Sequence, residues 1–225
     1  MTAPQIIAHR GASRERPENS LAAFRRAAEL GADAVELDVH RTADGVIVVH
    51  HDPVLADGRP ITDVTSARLD PLRVRGEPIP TLAAVIDAVG DRLGLYCELK
   101  GRDTAAGTLA LLRRPGAARE RSAVHAFDHR LIAEARRTAA DVPRGVLEVS
   151  YPVEPLAAAV AVDARDLWRH WEYVDEELVT AAHAAGKRVI AWTVNDPGVM
   201  TRFAAIGVDG LCTDDVALAR TTLAR

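Results

Sequence analysis

A TIM-type (β/α)8 barrel, with a β-hairpin after its second strand and a short irregular insertion, is the architecture this sequence predicts. Three observations lead there. Short β-rich apolar runs alternate with Ala- and Leu-rich segments of helical period, the signature of a parallel sheet covered by helices on its outer face. Eight such units fit roughly 200–250 residues, the size of one barrel built on one core, and the chain has 225. No G-x-G-x-x-G turn follows the first run, which weakens the doubly wound open sheet as the alternative.

In chain order the strand runs are IIAH (6–9), AVELDV (34–39), VIVVH (46–50), LYCEL (95–99), AVHAF (123–127) and GVLEV (145–149), then a weak run near 160–168, VIAWTV (189–194) and GLC (210–212). Helical patterns fill the intervals at about 20–30, 81–90, 104–114, 129–140, 175–185 and 196–206, with a last one from about 216. Residues 53–80, with their prolines and mixed charge, read as an irregular excursion before the helix at Thr81. Residues 1–225 are therefore expected to form a single barrel domain.

The link between ELDVH and VIVVHH is too short for a parallel crossover, which needs a dozen or more residues. TADG reads instead as a hairpin turn. With Ala43-Asp44 as the loop, Glu36 falls opposite His51; with Asp44-Gly45, Asp38 does. Either register places Glu36, Asp38 and His51 on one face, since side chains two apart along a strand point the same way. His50 then points to the other face and is expected to be structural.

The net charge of −4 removes the broad positive field that nucleic-acid binding requires. MTAPQIIAHRG has neither a basic leader nor a long apolar segment, and no stretch approaches the roughly 18 apolar residues of a membrane span. The expected compartment is the cytoplasm, with no stable membrane insertion. The two cysteines, Cys97 and Cys212, each lie in an apolar run and are expected to be buried, reduced thiols.

A barrel delivers the polar ends of its strands to one mouth. His9 and Arg10 end the first run, Glu36 and Asp38 the second, Glu98 and Lys100 close LYCELK, and Trp192 and Asn195 lie at or beyond the end of VIAWTV. Taken singly each is a rim charge or a packed ring; together on one face they form a site. Three converging carboxylates repel one another unless a cation sits between them. A hard divalent ion, Mg2+ or Ca2+ with Mn2+ admissible, suits Glu36, Asp38 and Glu98. Zinc is less favoured, because His9 and His51 serve better as acid and base near neutral pH. Arg10 can grip a phosphate through two parallel hydrogen bonds, and Lys100 adds a second fixed cation. Glu18, read from spacing alone, places negative charge near the N-terminus of a helix capped by Asn19 or Ser20. The whole set describes a phosphodiester site.

AHRGASRERPENSLAAF, VELDVHRTADGVIVVHHDPVL and CELK resemble the glycerophosphodiester phosphodiesterases, and VIAWTVND and GVDGLCTDD are similar to that family's C-terminal segments. The resemblance runs over nearly the whole chain. It implies a barrel with a metal on Glu36, Asp38 and Glu98 and with His9 and His51 as the acid–base pair. It also implies cleavage of small glycerophosphodiesters, such as glycerophosphocholine or glycerophosphoethanolamine, into sn-glycerol 3-phosphate and an alcohol. The glycerol 2-hydroxyl would attack phosphorus, and water would then open the cyclic phosphate. Glu18 becomes a partner that orients His or Arg, and Trp192 a wall of the substrate pocket. The chain departs from the family in having Ala126-Phe127-Asp128 where Ser-Phe-Asp is common, and Val216 where a proline often follows Thr-Asp. Both departures bear on the outer pocket.

Two rivals remain. A phospholipase D-like or phosphoinositide-cleaving enzyme would act on lipid, but the sequence shows no export signal and no obvious basic or aromatic membrane-facing patch. A non-catalytic phosphodiester-binding barrel would have lost at least one of the two histidines or three carboxylates.

Overall fold

The computed structural model describes residues 3–224, so residues 1, 2 and 225 of the expected domain lie outside the described residues. Apolar runs form β1 (Gln5–His9), β2 (Ala34–Arg41) and the short β3 (Ile47–Val49). The excursion folds into α2 (Ser66–Leu69) and a small hairpin of β4 (Arg73–Val74) and β5 (Glu77–Pro78), after α1 (Leu21–Glu29) and before α3 (Leu82–Val89). Then follow β6 (Gly94–Leu99), α4 (Thr104–Leu112), β7 (Ala123–Ala126), α5 (His129–Thr138), β8 (Arg144–Glu148) and α6 (Ala157–Ala161). The chain continues through β9 (Asp166–His170), α7 (Glu176–Ala184), β10 (Arg188–Trp192), α8 (Pro197–Ile206), β11 (Gly210–Thr213) and α9 (Val216–Leu223).

Eight parallel strands, β1, β2 and β6 to β11, pair in sequence, and β1 closes the ring by pairing with both β2 and β11. Helices lie between the strands on the outside, where their apolar faces cover the barrel wall. Among the described residues no helix is long and apolar enough to cross a membrane.

Most helices start at a side-chain cap that follows the loop leaving a strand. Ser20, Thr81, Asp128, Asp175, Asp196 and Asp215 each accept a backbone N–H from the first turn of the helix they precede, satisfying a donor that would otherwise lack a partner. Ser20, not Asn19, caps α1. Ser20→Ala is expected to cost about 1 kcal/mol, read as a lowered midpoint in urea with an unchanged m-value.

The hairpin differs from both expected registers. Val39 pairs with Val49 and Arg41 with Ile47, and Thr42 N–H bonds to Val46 O across a three-residue loop that ends in Gly45 at φ +85°. The extra loop residue, which glycine allows in the left-handed region, moves the ladder by one. Asp38 O therefore accepts from His50 N–H, and His51 stands one residue beyond the pair. The weak run at 160–168 also resolves differently: its first part completes α6, and the strand is Asp166–His170. The excursion at 53–80 carries its own small apolar cluster of Leu55, Ile61, Val64 and Leu69 packed on Val48.

Candidate active site

One inward side chain from each barrel strand, Ile7, Ala34, Tyr96, Ala123, Leu147, Trp168, Ile190 and Cys212, packs into a single buried layer. Strand side chains two apart share a face. The next layer, at or just past the C-terminal strand ends, is therefore His9, Glu36, Glu98, His125, Val149, His170, Trp192 and Asp214. The apolar layer is the floor of the site and the polar layer is its working surface.

Two histidines are held in the same way. His9 Nδ1 is 2.7 Å from Asp214 Oδ1, and His51 Nδ1 is 2.7 Å from Asp52 Oδ1. Each carboxylate accepts a hydrogen bond from Nδ1–H, which leaves Nε2 for other partners. Asp214 is itself fixed by Ser13 Oγ at 3.1 Å and Asn195 Nδ2 at 2.6 Å. Burial pulls the His9 imidazole pKa down, but the Asp214 hydrogen bond and the negative charge of Glu36 outweigh it, so the net shift is upward. Burial likewise works against ionisation of Asp214, while His9, Asn195 and Ser13 hold its carboxyl down at about 2. The His51 backbone is anchored from behind by His40, whose Nε2 lies 3.2 Å from His51 O.

The turn after β1 places Arg10. Arg10 has φ +55° and Gly11 φ +83°, a left-handed pair that is strained at arginine and easy at glycine. A Cβ on Gly11 would lie 2.7 Å from Ala23 Cβ, so the glycine also lets the turn sit on α1. The result points Arg10 N–H at Glu36 Oε2 (3.2 Å) and sends the guanidinium to Glu18 Oε1 (3.0 Å) and Asp38 Oδ2 (3.3 Å).

Asp38, 1% exposed, is the anchor of this cationic side. Besides Arg10 it takes Lys100 Nζ at 3.5 Å and a hydrogen bond from Asn19 Nδ2 at 2.8 Å. Burial opposes its ionisation, yet Arg10, Lys100 and Asn19 hold its carboxyl below the usual carboxylate range. Glu98 lies on the anionic side. Burial, then the charges of Asp38 and Glu36, push its carboxyl up despite Lys100 Nζ at 3.0 Å. A carboxylate short of positive charge is what an incoming cation would relieve.

The residues expected from the sequence thus gather at one mouth, but they divide. Glu36 and Glu98 lie together with His125, their ligand atoms within 4.8 Å of one another, and these donors fit a divalent cation. Asp38 stands with the basic groups, and Glu18 orients Arg10. His50, expected to be structural, lines a cavity of about 500 Å³ with Asp52, Leu55, Leu72 and Ile79. Reading by strand ends missed His125, Asp214 and Asn19. His125 was legible: it is the polar member of AVHAF, in register with Glu98.

Trp192 forms an edge of the mouth, its ring 5.5 Å from Phe127 and 5.4 Å from His170 in edge-to-face contact. Phe127, Val149, Tyr151, Val153 and Tyr173, in the loops after β7, β8 and β9, are exposed. No aromatic patch is obvious in the sequence because these residues belong to three separate loops. The residues are scattered over five sequence positions and only the barrel brings them to one rim.

Residues 9–218 match the model of the glycerophosphoryl diester phosphodiesterase family. The sequence is 33% identical to the glycerophosphodiester phosphodiesterase of Caldanaerobacter subterraneus subsp. tengcongensis, over 93% of each chain. The fold is similar to that of an Oleispira antarctica phosphodiesterase solved in complex with the product sn-glycerol-3-phosphate, with a TM-score of 0.91 and 28% identity, covering 99% of this chain and 98% of that one. It is also similar to the glycerophosphodiester phosphodiesterase of Thermotoga maritima, with a TM-score of 0.82 and 27% identity over 97% of each chain.

Proposed function

The chain belongs to the glycerophosphoryl diester phosphodiesterase family and is a phosphodiester hydrolase, and from that premise we propose that it cleaves small glycerophosphodiesters to sn-glycerol 3-phosphate and an alcohol. The observation that carries this reading is the matched pair of carboxylate-held histidines, His9 on Asp214 and His51 on Asp52, at one mouth. A reaction that must take a proton from one oxygen and give one to another needs two such groups. Glycerophosphocholine and glycerophosphoethanolamine are the substrates the reading favours.

In the first step the glycerol 2-hydroxyl oxygen bonds to phosphorus, the bond from phosphorus to the alcohol oxygen breaks, and the departing alcohol leaves with a proton. One histidine accepts the hydroxyl proton and the other donates to the leaving oxygen. Water then adds to the cyclic phosphate and opens it at the 2-oxygen, with the histidine roles reversed. Arg10 and Lys100 face the charge that grows on the phosphoryl oxygens, and Trp192 walls the alcohol side. Glu18 holds Arg10 in place.

Glu36 and Glu98, with Asp38 exchanging Lys100 for the ion, would hold one divalent cation. As carboxylates alone they suit Mg2+ or Ca2+, with Mn2+ admissible. When bound, the ion supplies Lewis-acid polarisation and a template for phosphoryl and hydroxyl oxygens. We assign the whole chain to one catalytic domain and to the cytoplasm, a setting that suits the two buried, unpaired thiols Cys97 and Cys212.

The apolar rim favours one second reading, a lysophospholipid whose acyl chain lies along Phe127, Tyr151 and Val153. Both readings are separated by product. Glycerol 3-phosphate release is measured from a panel of glycerophosphodiesters, with and without chelator, beside choline release from lysophosphatidylcholine. Metal-dependent glycerol 3-phosphate, lost in His51→Ala, is the expected result. Turnover of the lysolipid alone would move the assignment to lipid, and binding of the diesters with no turnover would make the chain a binder.

A further inference from the structure

His125 is a residue the two-histidine mechanism does not use. It lies on β7, 1% exposed, in register with Glu98. Its ring is stacked on Trp168, with centroids 4.2 Å apart and planes 9° from parallel, and Trp168 is equally buried. Nδ1 has no hydrogen-bond partner. Nε2 points to Glu36 Oε1 at 3.8 Å, too long for a hydrogen bond. Burying an imidazole in this way costs free energy that a packed ring alone does not return. The 3.8 Å gap is, however, within reach of two donors on one ion, which for metal–ligand bonds near 2.0 Å stand about 3.3 Å apart at a tetrahedral angle and up to about 4 Å apart when opposed.

We propose that His125 is a nitrogen ligand of the ion held by Glu36 and Glu98, and that it turns an oxygen site into a mixed one selective for borderline cations such as Zn2+ over Ca2+ and Mg2+. The proposal rests on the reading that an ion binds at those two carboxylates. Carboxylate oxygens serve hard ions well, whereas imidazole adds little to Ca2+ or Mg2+ and much to zinc and its neighbours. With the proton on Nδ1, the Nε2 lone pair faces the carboxylates. Stacking on Trp168 fixes the ring plane, a task that a hydrogen bond to the second nitrogen performs in most histidine ligands.

The test is direct metal binding by the full chain after chelator treatment. Titration calorimetry with Mn2+, Zn2+, Ca2+ and Mg2+ is combined with pulsed EPR on the Mn2+ form, which reads nitrogen coupled to the ion. Expected are tighter binding of Zn2+ than of Ca2+ or Mg2+, and a directly coordinated nitrogen in the Mn2+ form of the unaltered protein. His125→Gln should lose that coupling and weaken Zn2+ binding by at least the roughly 10- to 100-fold that altering an outer-shell partner costs, while leaving Ca2+ affinity in place. His9→Ala and His51→Ala should keep the nitrogen signal.

Mn2+ bound without nitrogen coupling in the unaltered protein would overturn the proposal and leave the carboxylate site standing, and this reading needs no variant to fold. Coupling that survives in His125→Gln would overturn it as well. Affinities of the unaltered chain equal to those of Glu36→Gln for all four ions would remove the metal reading itself, and His125 with it.

Discussion

Replacing His9 with alanine is expected to lower kcat for glycerophosphodiester cleavage by about 10²- to 10⁴-fold, the usual contribution of a positioned acid–base group. The fold should survive, because His9 is at the barrel mouth and Ile7 below it carries the packing. Steady-state kinetics beside a denaturation curve check both halves, and a variant that folds and keeps full kcat would remove His9 from the chemistry.

Asp214→Asn sharpens this result through pH. The imidazole of His9 is shifted upward by its environment, Asp214 foremost among the raising partners. Loss of that carboxylate should let the pKa fall, so the limb of the pH–rate profile that His9 controls moves to lower pH. The signs for stability follow from the same pair. A raised histidine contributes stability that is fully present below its unfolded value near 6.5 and fades as pH rises through the folded value. Asp214, held down at about 2, contributes above its unfolded value of 3.8 and loses its share as pH falls from there toward about 2.

Asp38→Ala is expected to produce the largest loss of stability among the site residues. Removing one partner of a buried ion pair costs about 3–5 kcal/mol, and partial exposure of Arg10 and Lys100 at 19% and 17% trims this to roughly 2–4 kcal/mol. The amide of Asn19, itself buried, loses its acceptor at the same time. Urea unfolding of the single variant and of Asp38→Ala combined with Arg10→Met reads the coupling. If Arg10 is left stranded, the double variant recovers part of the loss. An Asp38→Ala chain as stable as the parent would show that the cationic side stands without its anchor.

These two residues also mark where sequence reading succeeds and where it stops. The strands from IIAH to GLC announce themselves because every barrel strand is buried on both faces, and the helices between them because their caps and apolar stripes are local. His9, Glu36, Asp38, Glu98 and Lys100 are legible as polar groups that end apolar runs. The division of labour among them is not, since it depends on which oxygen meets which cation: Asp38 turns to Arg10 and Lys100, while Glu36 and Glu98 turn to His125. The hairpin register was decided by one extra loop residue at Gly45. Asp214 stayed hidden for a different reason, because its partner lies on the other side of the barrel seam.

That seam sets a condition on when the enzyme can exist. His9 and Asp214 are 205 positions apart in the chain, and β1 meets β11 only at closure. In the order of synthesis β1 and its His9 precede the other seven barrel strands, yet the imidazole has no Asp214 to hold it until β11 has been made. A chain released before β11 is therefore expected to be inactive toward phosphodiesters under the role proposed for His9, because the strand that completes the barrel is also the one that brings Asp214 to the imidazole.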